Sequence, residues 1–96
     1  MKPSTALDRH RTAIREMMAQ FRAVNPRVFG SVVHGTDRDG SDLDILVDPL
    51  PGATLFDLGG LHADLEDLLG VPVDLLTPGD LPAKVRARVL GEARPV

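Results

Sequence analysis

Gly30-Ser31, ten intervening residues and then Asp42-Leu43-Asp44 place the tightest constraint on this 96-residue chain. The apolar run from Leu43 to Val47 is expected to be a strand. Side chains two apart on a strand share a face, so Asp42 and Asp44 point the same way and Leu43 faces the core. Two carboxylates on one face repel unless a cation lies between them, and hard oxygen ligands suit Mg²⁺. A Gly-Ser turn offers backbone N–H groups and a hydroxyl to a polyphosphate. Metal carboxylates beside a phosphate cradle point to phosphoryl or nucleotidyl transfer.

The flanking pattern supplies the rest of a fold. Thr5 followed by Asp8 reads as a helix cap, and Leu7, Ile14, Met17, Met18 and Phe21 recur at helical spacing. This predicts a first helix over about Thr5 to Val24, stopped by Asn25-Pro26. Arg27 to Phe29 is a short strand entering Gly30-Ser31, Val32 to Gly35 a brief helical turn, and Thr36 to Gly40 a polar loop. After the second strand, Thr54 with Asp57 caps another helix. Its apolar stripe is Leu58, Leu61, Leu65, Leu68 and Leu69, and Gly70 closes it. Gly59-Gly60 costs this helix about 1 kcal/mol per Gly relative to Ala. Either the helix begins late or another element packs closely there. Val71 to Leu76 is a third strand, and Pro78-Gly79-Asp80 turns into a last helix carrying Leu81, Val85 and Val89. The order implies a small α/β (α+β) domain, a short mixed β-sheet with helices mainly on one side.

Bulk properties narrow the classes. At this length one domain, residues 1–96, is expected, and so small a domain gains from a partner or from self-association. A hydrophobic fraction of 43% fits a globular chain. A net charge of −3 gives no general drive toward nucleic acid or anionic membrane. Without cysteine there is no disulfide or thiolate metal site. The N-terminus lacks the apolar core of a signal peptide and no run is long enough to span a bilayer, so the expected location is cytoplasmic.

Asp74 is the third candidate acid. It interrupts Val73-Asp74-Leu75-Leu76, where a carboxylate is costly unless paired, metal-bound or exposed. If its strand neighbours the second, Asp74 joins Asp42 and Asp44 on one face as a third metal ligand and as a base for an attacking hydroxyl. Gly30 would let the backbone approach phosphates, Ser31 would add a donor, and Gly35 would permit a second close turn. His34 sits in the same loop, in reach of a phosphate or base. His10 and His62 have no partner pattern. Lys84, Arg86 and Arg88 read as a solvated basic helix face. A calcium-loop reading from Asp37 fails, since the sixth and twelfth positions are Asp42 and Asp48 rather than Gly and Glu.

These residues together resemble the signature of the DNA polymerase β-like nucleotidyltransferase superfamily. The segments FGSVVHG, SDLDILVD, LFDLGGLHADLEDLLG and VDLLTP further resemble its minimal nucleotidyltransferases, the MntA-type antitoxins, over nearly the whole chain. The resemblance implies a mixed-sheet polymerase β-like core using ATP and Mg²⁺. It implies Gly30 and Ser31 on the triphosphate, Asp42 and Asp44 as paired metal ligands, and Asp74 as the third acid. It also implies a HEPN-domain (HepT-like) toxin partner whose tyrosine is AMPylated. Many relatives carry Arg where this chain has His34; Arg is a permanent bidentate phosphate donor, whereas His is only partly charged near neutrality. Two other functions compete: an antitoxin acting by contact alone, and nucleotidyl transfer to a small molecule. The first leaves three acids without a purpose. For the second, the relatives concerned carry an added acceptor domain, and none is expected here.

Overall fold

The strand Leu43–Pro49 sets a fully buried face, Leu43, Ile45 and Val47, against a face on which the half-buried Asp44 and Asp48 flank a buried Leu46. That alternation divides the molecule. The computed structural model describes residues 1–96. In chain order its elements are α1 (Pro3–Met17), β1 (Ala23–Phe29), α2 (Ser31–His34), β2 (Leu43–Pro49), α3 (Leu55–Leu69), β3 (Val73–Leu76), α4 (Ala83–Glu92) and β4 (Arg94–Pro95). Short 3₁₀ turns lie at Met18–Phe21 and Pro78–Asp80. The four strands form one sheet in the order β3-β2-β1-β4. β1 runs antiparallel to both β2 and β4, while β2 and β3 are parallel, with α3 as the crossover between them. The expected mixed sheet is present, with one strand more than expected.

The core lies between one face of the sheet and the helices α1 and α3. Ala6, Leu7, Ile14 and Met18 from the first helical segment meet Leu61, Leu65 and Leu69 of α3, over Val28, Leu43, Ile45, Val47 and Val73. α3 follows its sequence closely. Thr54 Oγ1 accepts from the Asp57 N–H at 3.2 Å and Asp57 Oδ2 accepts from the Thr54 N–H at 2.8 Å, a reciprocal capping box. Gly70 ends the helix in the left-handed conformation, its N–H on the Glu66 carbonyl. The Gly59-Gly60 pair has a packing reason at its second member. A Cβ on Gly60 would sit 2.7 Å from Phe21 Cε1, so the ring needs a residue without one.

Several expectations are corrected. The first helix ends at Met17, extended by the 3₁₀ turn to Phe21, because Arg22 turns left-handed and bonds back to the Met18 carbonyl. Its cap is not Thr5 with Asp8: Lys2 holds the N-cap position without a side-chain bond, and Asp8 pairs instead with Arg11 at 3.0 Å. Asn25-Pro26 does not end the helix but lies inside β1. The register with β2 shifts between Val24 and Arg27, and Asn25 takes φ +59°. A bulge tolerates a proline that a regular ladder cannot. β3 is also shorter than expected, starting at Val73 rather than Val71. The unforeseen β4 pairs Arg94 and Pro95 with Val28 and Arg27. No helix is long and apolar enough to cross a membrane.

Candidate active site

The parallel register puts Asp44 directly opposite Asp74. On its other side Asp44 faces Phe29 of β1. Directly opposed residues share a face, so Phe29, Asp44 and Asp74 form one row across three strands, on the face turned away from the α1–α3 core. Asp42 lies just before β2, exposed, two residues from Asp44 and close enough for its charge to act on that carboxyl. The three acids expected from sequence are thus brought to one edge of one face.

The electrostatics follow. Burial in this row, and then the charges of Asp74 and Asp42, push the Asp44 carboxyl up to about 6. A carboxylate so placed gains from a cation. No three acidic or histidine side chains already close into a cage. Asp42 and Asp74 are exposed and Asp44 lies half-buried between their charges. Carboxylate oxygens are the donors that a hard divalent ion takes, which makes Asp42, Asp44 and Asp74 the candidate ligands.

The Gly30-Ser31 turn abuts this cluster. Gly30 has φ +73° and a backbone so close to Asp44 that a Cβ would overlap Oδ2. Both facts require glycine. The Gly30 carbonyl accepts from the N–H groups of Val33 and His34 and so opens α2. Ser31 and Val32 are its first residues, and helix geometry leaves their N–H groups without intrahelical partners. Gly35 closes the turn, its N–H on the Ser31 carbonyl. The His34 ring is turned to α4, where Nε2 lies 3.2 Å from Glu92 Oε2 in an exposed pair. Among the four loop residues expected to bind the nucleotide, His34 is the one already engaged elsewhere.

Sequence reasoning passed over several supporting residues. Asp37 is buried in the loop between Ser31 and Asp42 and accepts from the Ser4 N–H at 2.9 Å, at the start of α1. That bond and a second from Ser4 hold its carboxyl below the usual carboxylate range. The N-terminal amine meets Asp39 at 3.3 Å in the same loop. His62 donates from Nε2 to the Val73 carbonyl at 2.8 Å, and Glu66 accepts from the Val73 N–H at 2.9 Å. Two α3 side chains therefore satisfy the outer edge of β3 just before Asp74. Their i, i+4 spacing was the available signal. Arg86 is not part of a free basic face; its guanidinium donates to the carbonyls of Pro78 and Leu81.

Comparison with known proteins gives the family. Residues 7–96 match the nucleotidyltransferase domain family. A protein adenylyltransferase, MntA, of Thermococcus cleftensis is 37% identical over 78 residues, 81% of this chain and 79% of that protein. A candidate protein adenylyltransferase of Methanocaldococcus jannaschii is 39% identical over 66 residues, 69% of this chain and 71% of its own. The chain also superimposes on a solved structure described as a candidate minimal nucleotidyltransferase, with TM-score 0.87, 44% identity, and coverage of 100% of this chain and 97% of the other. A toxin–antitoxin structure with AMP-PNP shares the fold at TM-score 0.72 and 21% identity, over 88% of this chain and 69% of that one. The chain belongs to the nucleotidyltransferase domain family, in its minimal, MntA-type form.

Proposed function

We propose that this chain transfers AMP from ATP to a tyrosine hydroxyl of a HEPN-type toxin, and so acts as an antitoxin by modification, within the cell and in complex with its target. The observation that carries the reading is the row Asp44–Asp74 with Asp42 beside it, against the Gly30-Ser31 turn. Relatives named as protein adenylyltransferases support a protein acceptor, and the AMP-PNP complex of a toxin–antitoxin fold relative supports ATP and a toxin. The chain's own residues divide the work. The Gly30 turn and the first N–H groups of α2, with Ser31 Oγ, hold the triphosphate; His34 and Gly35 border it. Asp42, Asp44 and Asp74 would hold Mg²⁺, which would supply charge neutralisation at the phosphates and at the attacking oxygen. The acceptor oxygen forms a bond to the α-phosphorus, the bond from that phosphorus to the bridging oxygen breaks, and pyrophosphate leaves. Asp74, the most exposed strand member of the row, accepts the hydroxyl proton.

Asp74→Asn tests this reading. ATP binding should largely persist, because the turn, Asp42 and Asp44 remain. AMP incorporation should fall by roughly 10²–10⁴-fold. Toxin rescue in cells is measured alongside incorporation in vitro; full rescue by a variant that incorporates no AMP would replace modification with neutralisation by contact.

A further inference from the structure

Two large apolar side chains stand almost fully in solvent at the start of α3: Leu55 is 86% exposed and Phe56 93% exposed. Neither contributes to the core. Leu55 lines a groove of about 410 Å³ together with Leu58, Gly59, His62, Leu75 and Asp74. Phe56 lies three residues before Gly59, one helical turn away on the adjoining face. An apolar shelf therefore runs up to the carboxylate that would take the acceptor's proton. Isolated exposed apolar residues are ordinary, but an exposed aromatic bordering a groove is a frequent anchor of protein interfaces.

The charge around the shelf selects its occupant. Ten of the fourteen acidic residues fall between positions 39 and 83, a stretch with no Lys or Arg, although the chain has eleven such residues. β2, α3 and β3 all lie in that stretch. On α3, Asp64 and Asp67 are exposed, and Asp80 lines the groove itself. A net charge of −3 conceals this division, because the basic residues are confined to the two ends of the sequence. In space Arg27 neutralises Asp48 and Arg86 reaches the Pro78 and Leu81 carbonyls beside the groove, but Asp64, Asp67, Asp74 and Asp80 have no basic partner, and such a field attracts a cationic polypeptide and repels nucleic acid and acidic peptides.

We propose that Leu55, Phe56 and the groove beside Asp74 form the docking surface for the acceptor, a polypeptide with an apolar segment flanked by basic side chains that delivers its hydroxyl to Asp74. The orientation toward Asp74 rests on the transfer reading; the existence of the surface does not. The surface is tested by a titration of the ¹⁵N-labelled full chain with a short peptide carrying one tyrosine, adjacent leucines and arginine flanks. The control is the same peptide with glutamate flanks. Amide shifts should be centred on residues 55–62 and 73–75, should weaken with salt, and should be lost in Leu55→Ser/Phe56→Ser, whose spectrum outside the patch stays that of the wild type. Equal response to both peptides, an unchanged response in the variant, or shifts centred instead on a second groove, lined by Met18, Ala23 and Leu50, would overturn the surface. So would concentration-dependent shifts of Leu55 and Phe56 without peptide, which would make a second copy the occupant. AMP incorporation into the same peptide is measured separately. It should fall about tenfold in the variant, with ATP affinity unchanged. Loss of incorporation in the wild type alongside localised shifts would fail the transfer reading while retaining the surface.

Discussion

Asp44 and Asp48 lie four residues apart on β2, on the same face, and have opposite environments. Asp48 receives both terminal nitrogens of Arg27, at 3.0 and 3.1 Å, and the Asn25 amide at 2.9 Å. The hydrogen bonds from Arg27 and Asn25 hold its carboxyl below the usual range. Asp44 has no cation near it; burial and two further carboxylates raise it. One end of the strand is neutralised by the chain itself, and the other is left with charge that only an incoming group can balance. The same residue type on one strand is thus paired at one end and left without a counter-charge at the other. The bulge at Asn25 is part of the difference, because it re-aims β1 so that the side chains of Asn25 and Arg27 both reach Asp48.

The comparison breaks most visibly in activity. Asp42→Asn combined with Asp44→Asn should reduce nucleotidyl transfer by on the order of 10³-fold or more, since it removes the charge that would hold the metal. Thermal stability without metal should hold or rise, because repulsion is relieved. Retained transfer would remove these residues from the site. Asp48→Ala should do the reverse. It strands a guanidinium whose Nε is already buried without a partner, and should cost about 1–3 kcal/mol in urea unfolding while leaving ATP affinity intact.

The pH dependence separates the two ends next. Asp44 lies at about 6, above its usual 3.8, so its contribution to folding is full below the usual value and is lost as pH rises through about 6. Asp48 and Asp37 lie below their usual values, so their contribution is full at higher pH and is lost as pH falls. Unfolding midpoints should therefore decline on both sides of a mildly acidic optimum. Asp44→Asn should flatten the neutral side only, and Asp48→Asn should weaken the acid side. A smaller effect is expected of His34→Arg. The exposed pair with Glu92 contributes about 0–1 kcal/mol, so stability should barely change, and ATP affinity in the presence of Mg²⁺ should hold or tighten. A large loss of activity would give His34 a role of its own.

Much of this site is legible in the chain because it is local. Asp42, Leu43 and Asp44 declare their faces by strand alternation, and Thr54, Asp57 and Gly70 mark the ends of α3 with adjacent residues. Asp74 is legible as an anomaly in an apolar strand. What escapes reading depends on contacts between distant positions. Asp37 reaches Ser4 across thirty-three residues, and nothing near Asp37 announces it. Asn25-Pro26 carries the local signature of a stop, and the pairing of β1 with β2 overrides it. β4 is two residues long and exists only because Val28 and Arg27 are there to pair with it. The Gly59-Gly60 pair was readable as an oddity, but its cause, the ring of Phe21, was not.

The parallel pairing of β2 with β3 has a consequence for quality control. Asp74 meets Asp44 only when α3 has docked and the two strands have zipped in one register. A slip of a single residue turns Asp74 to the opposite face and sets Val73 or Leu75 beside Asp44. A misregistered or half-assembled molecule would therefore be inert rather than indiscriminate. The pairing that completes the sheet between β2 and β3 is therefore also the pairing that gathers the acidic row.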